Sequence, residues 1–182
     1  MAAHRGLAER LTHFFILIFF ILTSVVKHQK AKMRTFKHVA DMQALVGQNI
    51  GTSDWIEIDQ ERINLFAKAT ADEQWIHVDP VRAAAGPFGA PIAHGFLTLS
   101  LLPEMSATAF EVLDTRMGVN YGLNRVRFPS PVPVGSRLRG NFLLTAFEPL
   151  DGGAQITVEV TMEREGSAKP VCVAESIGRR YV

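Results

Sequence analysis

Residues 96–105 read Phe-Leu-Thr-Leu-Ser-Leu-Leu-Pro-Glu-Met and are apolar on nearly every side until Glu104. A helix of that composition has no polar face to offer water and is expected to be buried all round. Downstream lie four stretches with strand character, roughly 118–128, 136–147, 154–162 and 169–181. The cleanest, 154–162, alternates Ile156, Val158, Val160 and Met162 with Gln155, Thr157, Glu159 and Thr161, so one face is dry and the other wet. The breaks between strands fall at 129–135 (Pro-Ser-Pro-Val-Pro-Val-Gly), at 151–153 (Asp-Gly-Gly) and at Glu165-Gly166. Helices gathered early and strands late imply an α+β fold, an antiparallel sheet wrapped around a long buried helix.

Upstream, Trp55-Ile-Glu-Ile58 is a short β-prone run. Asp59 follows it as a helix N-cap, with Ile58 and Ile63 spaced for a hydrophobic staple. The helix should run to about Ala71. Ile63, Phe66, Ala67 and Thr70 recur on its inner face, and Glu61, Asn64 and Lys68 on its outer one. After an irregular stretch, Asp79 and Pro80 start a brief helix that Gly86-Pro87 ends.

The chain has 182 residues, with 47% apolar and 20% charged, which suits one globular domain with an appendage rather than a disordered or polytopic chain. Nineteen Lys and Arg against 18 Asp and Glu leave a net charge of +1 with no basic stripe, so no nucleic-acid partner is expected. The single cysteine, Cys172, sits in an apolar run and can form no internal disulfide, which points to a reducing, cytoplasmic setting.

Residues 1–32 differ in kind from the rest. Residues 11–26, Leu-Thr-His-Phe-Phe-Ile-Leu-Ile-Phe-Phe-Ile-Leu-Thr-Ser-Val-Val, form an apolar run shorter than the ~20 residues a membrane span needs. No small-residue cleavage site follows it, so secretion is not expected. Membrane contact is expected only if 11–26 anchors the chain, and the basic residues after the run would then hold the body on the cytoplasmic side. The competing expectation is that translation begins at Met33. Either way, 1–32 is read as an extension and 33–182 as the folded domain.

Reactive side chains concentrate between Thr70 and Gly95. Two of the three histidines after Met33, His77 and His94, fall there with Asp72. Asp72 and His77 are five residues apart. A continuing helix would turn them away from each other, whereas an irregular segment can bring them to one point. A water held between a carboxylate and an imidazole can lose a proton to one group while the other delivers or relays one, which is general acid/base chemistry. By spacing alone, Asp72 can equally end the helix and His77 be a satisfied buried residue. Asp72, His77, Asp79 and His94 match no standard zinc spacing, so no metal is expected. No nucleotide loop or nucleophile motif supports a cofactor or a covalent route.

The segment Phe66-Ala-Lys-Ala-Thr-Ala-Asp72-Glu-Gln-Trp-Ile-His77-Val-Asp-Pro80, followed by Gly89-Ala-Pro-Ile-Ala-His94-Gly95-Phe96, resembles the MaoC-like, (R)-specific enoyl-CoA hydratase family. The similarity extends over 33–182, including Asn124-Arg-Val-Arg-Phe128 and Pro131-Val-Pro-Val-Gly135, and is close to single-domain mycobacterial members. It implies a hot-dog fold, a sheet curled around one helix, in a homodimer. It also implies an acyl-CoA thioester substrate, no cofactor, and Asp72 and His77 as the catalytic pair. The family motif usually has Gly before the Asp and Asn-Pro within the gap; here Ala71 and Gln74-Trp75 stand there, with Gln74 the candidate substrate-binding amide. The oxyanion glycine of the family falls on Gly95. Helix-start amides lack internal acceptors and carry the positive end of the dipole, so an amide there can hold a thioester oxygen as it gains charge.

The expected reaction is reversible hydration of trans-2-enoyl-CoA to (R)-3-hydroxyacyl-CoA. Two alternatives are a hot-dog thioesterase and a non-catalytic acyl-binding or membrane-tethered partner subunit. His94 reads as a helix-start residue fixing local structure, and Trp75 as packing. Arg125 and Arg127 are either contacts to coenzyme A phosphates or a solvated strand face.

Overall fold

The computed structural model describes residues 32–182. The readings of 11–26 as a possible anchor and of 1–32 as an extension therefore fall outside the described residues, apart from Lys32.

The chain runs β1 (Arg34–Phe36), a 3-10 helix (Val39–Leu45), β2 (Asn49–Thr52), β3 (Ile56–Ile58), α1 (Gln60–Thr70), α2 (Trp75–Val78), α3 (Pro80–Ala84), α4 (Gly95–Ser100), α5 (Leu102–Ala109), β4 (Phe110–Val112), β5 (Met117–Arg127), β6 (Ser136–Leu150), β7 (Gly153–Arg164) and β8 (Cys172–Tyr181). The main sheet has the order β2-β6-β7-β8-β5, with β3 also paired to β6, and its pairings are antiparallel. A separate parallel pair joins β1 to β4. The expected α+β hot-dog arrangement is present, with helix α5 against β2, β4 and β6 and α4 against β8.

The alternation in β7 holds as read. Ile156, Val158, Val160 and Met162 are buried, and Glu159 is exposed. Thr157 is the exception: it is buried on the nominally wet face, where its carbonyl accepts from Thr145 Oγ1 beside a register shift between Leu144 and Ala146.

Helix α1 begins as expected. The Asp59 side chain accepts from the Arg62 amide at 2.8 Å, and Ile58 and Ile63 are fully buried. A cap of this kind contributes about 1 kcal/mol. The helix buries Ile63 and Ala67, but Thr70, read as part of the inner face, is exposed and donates its hydroxyl to the Phe66 carbonyl.

The central helix departs from expectation in two ways. It is divided at Leu101 into α4 and α5, because Pro103 has no amide to donate and its ring crowds the carbonyl four residues back. Pro103 instead occupies the start of α5, where a missing N–H costs least. Nor is the helix buried all round: Leu97, Thr98, Leu101, Met105 and Ala109 form one buried stripe, whereas Phe96 is 70% exposed and Pro103 and Glu104 face solvent. The sheet covers one side only. At Gly51 strand β2 passes so close to the end of α5 that an added Cβ would lie 2.5 Å from the Ala109 carbonyl oxygen.

Candidate active site

Helix α1 ends because Ala71 adopts the left-handed conformation, φ 58°, a turn that glycine makes without strain. The chain thereby changes direction just before Asp72. The next stretch, expected to be irregular, instead closes one helical turn, α2, with the His77 amide donating to the Gln74 carbonyl at 2.9 Å. Break and restart together bring positions 72 and 77 to one point, which a continuous helix would prevent. Asp79 then caps α3 through the Arg82 amide and is used up structurally.

A second segment comes from the other side. The Ile92 amide donates to the Ile76 carbonyl at 3.0 Å, the Ala93 amide to Val132 at 2.8 Å, and the Val134 amide to Pro91 at 2.8 Å. Residues 91–94 are thus sewn between α2 and the Pro131-Val-Pro-Val-Gly135 segment, and they deliver His94 and Gly95 to the start of α4.

A carboxylate oxygen of Asp72 and one ring nitrogen from each of His77 and His94 all lie within 4.8 Å of one another. Two hydrogen bonds of about 2.8 Å meeting at one water span up to ~5.6 Å, so a separation within 4.8 Å is short enough for one water to bridge. Asp72 is exposed, while His77 and His94 are 6% and 3% exposed.

The protonation pattern follows from the acceptors. His77 Nδ1 faces the Ile92 carbonyl at 2.6 Å. A carbonyl only accepts, so Nδ1 carries the hydrogen and Nε2 is left as the basic nitrogen. Burial depresses the His77 pKa below its ordinary 6.5, and the nearby His94 adds to the effect, while the Ile92 hydrogen bond and Asp72 work against it. The resting ring is neutral near pH 7. Gln60 Nε2 fixes the backbone beneath it by donating to the His77 carbonyl at 2.8 Å.

Gly95 is the first residue of α4, so its amide has no acceptor within the helix. A Cβ there would lie 3.0 Å from the Phe128 ring, so the position is closed to larger residues unless Phe128 moves. Beside it runs a cleft of about 300 Å³ whose walls include Phe88, Ala93, Thr98, Phe128 and Val171. Asp72 and His77 are not among its lining residues. Gln74 sits exposed at the head of α2 with no side-chain cap bond. Trp75 packs: Arg82 stacks over its ring at 4.5 Å, and Gly86 leaves no room for a Cβ, which would lie 2.9 Å from the indole. Arg125 and Arg127 lie on an exposed strand, with Arg127 Nη1 donating to the neighbouring Val126 carbonyl.

Gln60 goes unnoticed in the sequence, and so do the ring contacts of His94, which its position marks only as a helix-start residue. His94 stacks on His77, with ring centroids 3.7 Å apart and planes inclined by 25°. Its contacts with His77, Asp72 and Phe66 cross 17, 22 and 28 positions of chain, and no local pattern announces them. Asp72, His77 and His94, three of the four residues whose spacing matches no standard zinc motif, also offer the donor types of a metal site. The stack, however, sets the two lone-pair axes in nearly parallel planes, and both cannot converge on one cation at the ~2.0–2.1 Å of a metal–imidazole bond.

Comparison with known proteins bears on the family and the fold. The model of the MaoC like domain matches residues 41–167. The 3-hydroxyacyl-thioester dehydratase Z of Mycobacterium tuberculosis (strain H37Rv) is 60% identical over 148 residues, covering 81% of this chain and 98% of that protein. Nodulation protein N of Rhizobium meliloti is 51% identical over 142 residues, covering 76% of this chain and 88% of that protein. Among solved structures, the (R)-hydratase from A. caviae superposes with a TM-score of 0.60 at 24% identity, over 73% of this chain and 94% of its own. The monoamine oxidase regulatory protein from Archaeoglobus fulgius gives 0.65 at 21%, over 82% and 97%. At those identities the two structures speak for the fold.

Proposed function

The chain belongs to the MaoC-like domain family, and from that premise we propose that it is a hydro-lyase that adds water reversibly to trans-2-enoyl-CoA to give (R)-3-hydroxyacyl-CoA. One observation carries the reading: a carboxylate and a neutral, buried imidazole close enough to share one water, on a loop sewn to the start of α4.

Hydration places hydroxyl on C3 and a proton on C2, with negative charge passing transiently to the thioester oxygen. Asp72 and His77 hold the water. One takes its proton as the oxygen attacks C3, and that proton is relayed to C2. The amide of Gly95 receives the enolate oxygen, and the apolar cleft beside it takes the acyl chain. Gln74, at the mouth of the same loop, is assigned to substrate contact. The dehydratase name of the mycobacterial relative agrees with the reverse direction.

The active body is assigned to residues 33–182 and to the cytoplasm, in keeping with a free, buried Cys172 whose thiol burial pushes up to about 11. Among the described residues, no helix is long and apolar enough to cross a membrane. The working unit is assigned as a homodimer. Strand β5 ends the sheet, every residue of it but Val126 is exposed, and Met117, Tyr121 and Leu123 stand 53%, 55% and 44% exposed. An edge that pairs on one side only among the described residues, with large apolar side chains, is a surface for a second chain. Sedimentation should give the mass of two chains for the native protein and of one for Leu123→Glu; a native monomer contradicts the assignment.

The function is tested by incubating the purified protein with short and medium enoyl-CoA esters. Loss of the conjugated double bond, the configuration of the alcohol and free thiol are followed together. The (R)-alcohol without thiol is the expected result. Thiol release without hydration would make the protein a thioesterase, and no turnover would make it a silent acyl-binding subunit.

A further inference from the structure

We propose that His94 is the positioning residue of this site, holding the Asp72 turn and the His77 ring in register with the start of α4; the assignment deepens the hydration reading and rests on it. Three contacts converge on this one residue. Its Nε2–H donates to the Asp72 main-chain carbonyl at 2.9 Å, across 22 positions of sequence. Its ring stacks on His77 at 3.7 Å. Its own carbonyl accepts from the Thr98 amide at 3.1 Å and from Thr98 Oγ1 at 3.3 Å, which locks it into the first turn of α4.

The bond to Asp72 matters because that residue is otherwise exposed on a turn whose preceding residue, Ala71, is in the left-handed region. Without a tie, the carboxylate and the imidazole would share a water only intermittently. The stack matters because it packs a second ring across the face of His77, whose one side-chain hydrogen bond among the described residues is made at Nδ1. Phe66 of α1 flanks the pair, with its ring 5.0 Å from His94.

A simple packing role does not account for the residue type. Among the described residues, the buried His94 Nδ1 has no hydrogen-bond partner, and leaving a buried acceptor unpaired is unfavourable where an apolar ring of the same shape would avoid it. What imidazole adds over phenyl is the Nε2–H to Asp72 and the capacity for charge beside His77. Of the charged groups acting on His77, Asp72 raises its pKa and His94 lowers it.

Two variants of the full chain separate these contributions. His94→Phe keeps a ring on His77 but removes the donor, and His94→Gln keeps a donor near the Nε2 position but removes the ring. Histidine resonances in labelled protein, assigned with His77→Gln, report the His77 titration without any substrate. The His77 midpoint should rise in both variants as the neighbouring base is lost. The kcat of His94→Phe should fall tenfold or more with KM changed less than about threefold, and His94→Gln should recover part of that loss. Thermal unfolding monitors the fold, and if His94→Phe does not fold, His94→Gln alone carries the test. An unmoved His77 midpoint, or native kcat in the folded variants, overturns the proposal. Should the native protein lack hydratase activity, the functional reading fails, while the titration still decides whether His94 governs His77.

Discussion

Two short segments meet at the site and are built on opposite lines. Residues 71–78 carry the proposed acid/base side chains on a turn that includes a left-handed alanine and an exposed carboxylate. Residues 91–95 are buried almost throughout and tied by backbone hydrogen bonds to Ile76, Val132 and Val134. In the proposed mechanism the first segment supplies the atoms that exchange protons, and the second a main-chain donor that must not move. General acid/base groups tolerate, and need, access to water; an oxyanion donor works by being fixed before charge develops. Changes in the first segment should therefore alter proton transfer and its pH dependence, and changes in the second should alter stabilisation of the enolate.

The largest effect is expected in the first segment. Asp72→Asn or His77→Gln should each lower kcat by about 100-fold or more, read in the enoyl-CoA hydration assay. In the second segment, Gly95→Ala forces a methyl group against Phe128, and kcat should fall by roughly 10- to 100-fold as the amide is displaced. An unchanged rate in Gly95→Ala would show that this donor takes no part.

The pH profile sharpens the contrast. The folded His77 pKa lies below 6.5, so kcat/KM should hold on acidification through 6.5 and fall only as pH drops through the lower folded value. Stability follows the same window. Below pH 6.5 the unfolded chain takes up the His77 proton first, so this contribution to stability declines until the folded value is passed. A rate that already falls above pH 6.5 would place another group in the base role. The smallest effect is at the turn itself: Ala71→Gly should stabilise the protein by about 1 kcal/mol in urea unfolding, because glycine occupies the left-handed region without a Cβ clash. A loss of stability would show that the turn is unstrained.

Much of this was readable before the structure wherever a signal is local. The caps at Asp59 and Asp79, the alternation in β7 and the strand breaks at Gly-containing turns depend on neighbours a few residues away. So did the suspicion that Asp72 and His77 face one point. What escaped depends on distant partners. Strands β1, β2 and β4 are three or four residues long and exist because another strand lies alongside them. The one-sidedness of α4 and α5 follows from where the sheet stops, which composition does not encode. His94 stands at the helix start, as its sequence position implies. Its ring contact with His77 and its bond to Asp72 arise only once two segments fold together.

The most direct test is a double-mutant cycle on the pair proposed to hold the water, with Asp72→Asn, His77→Gln and the combined variant assayed for hydration of one enoyl-CoA ester. If both groups act on the same water, the double variant should lose little more than the worse of the two single variants. Losses that multiply, or single variants that retain the native rate, would mean that the two side chains do not work as a unit.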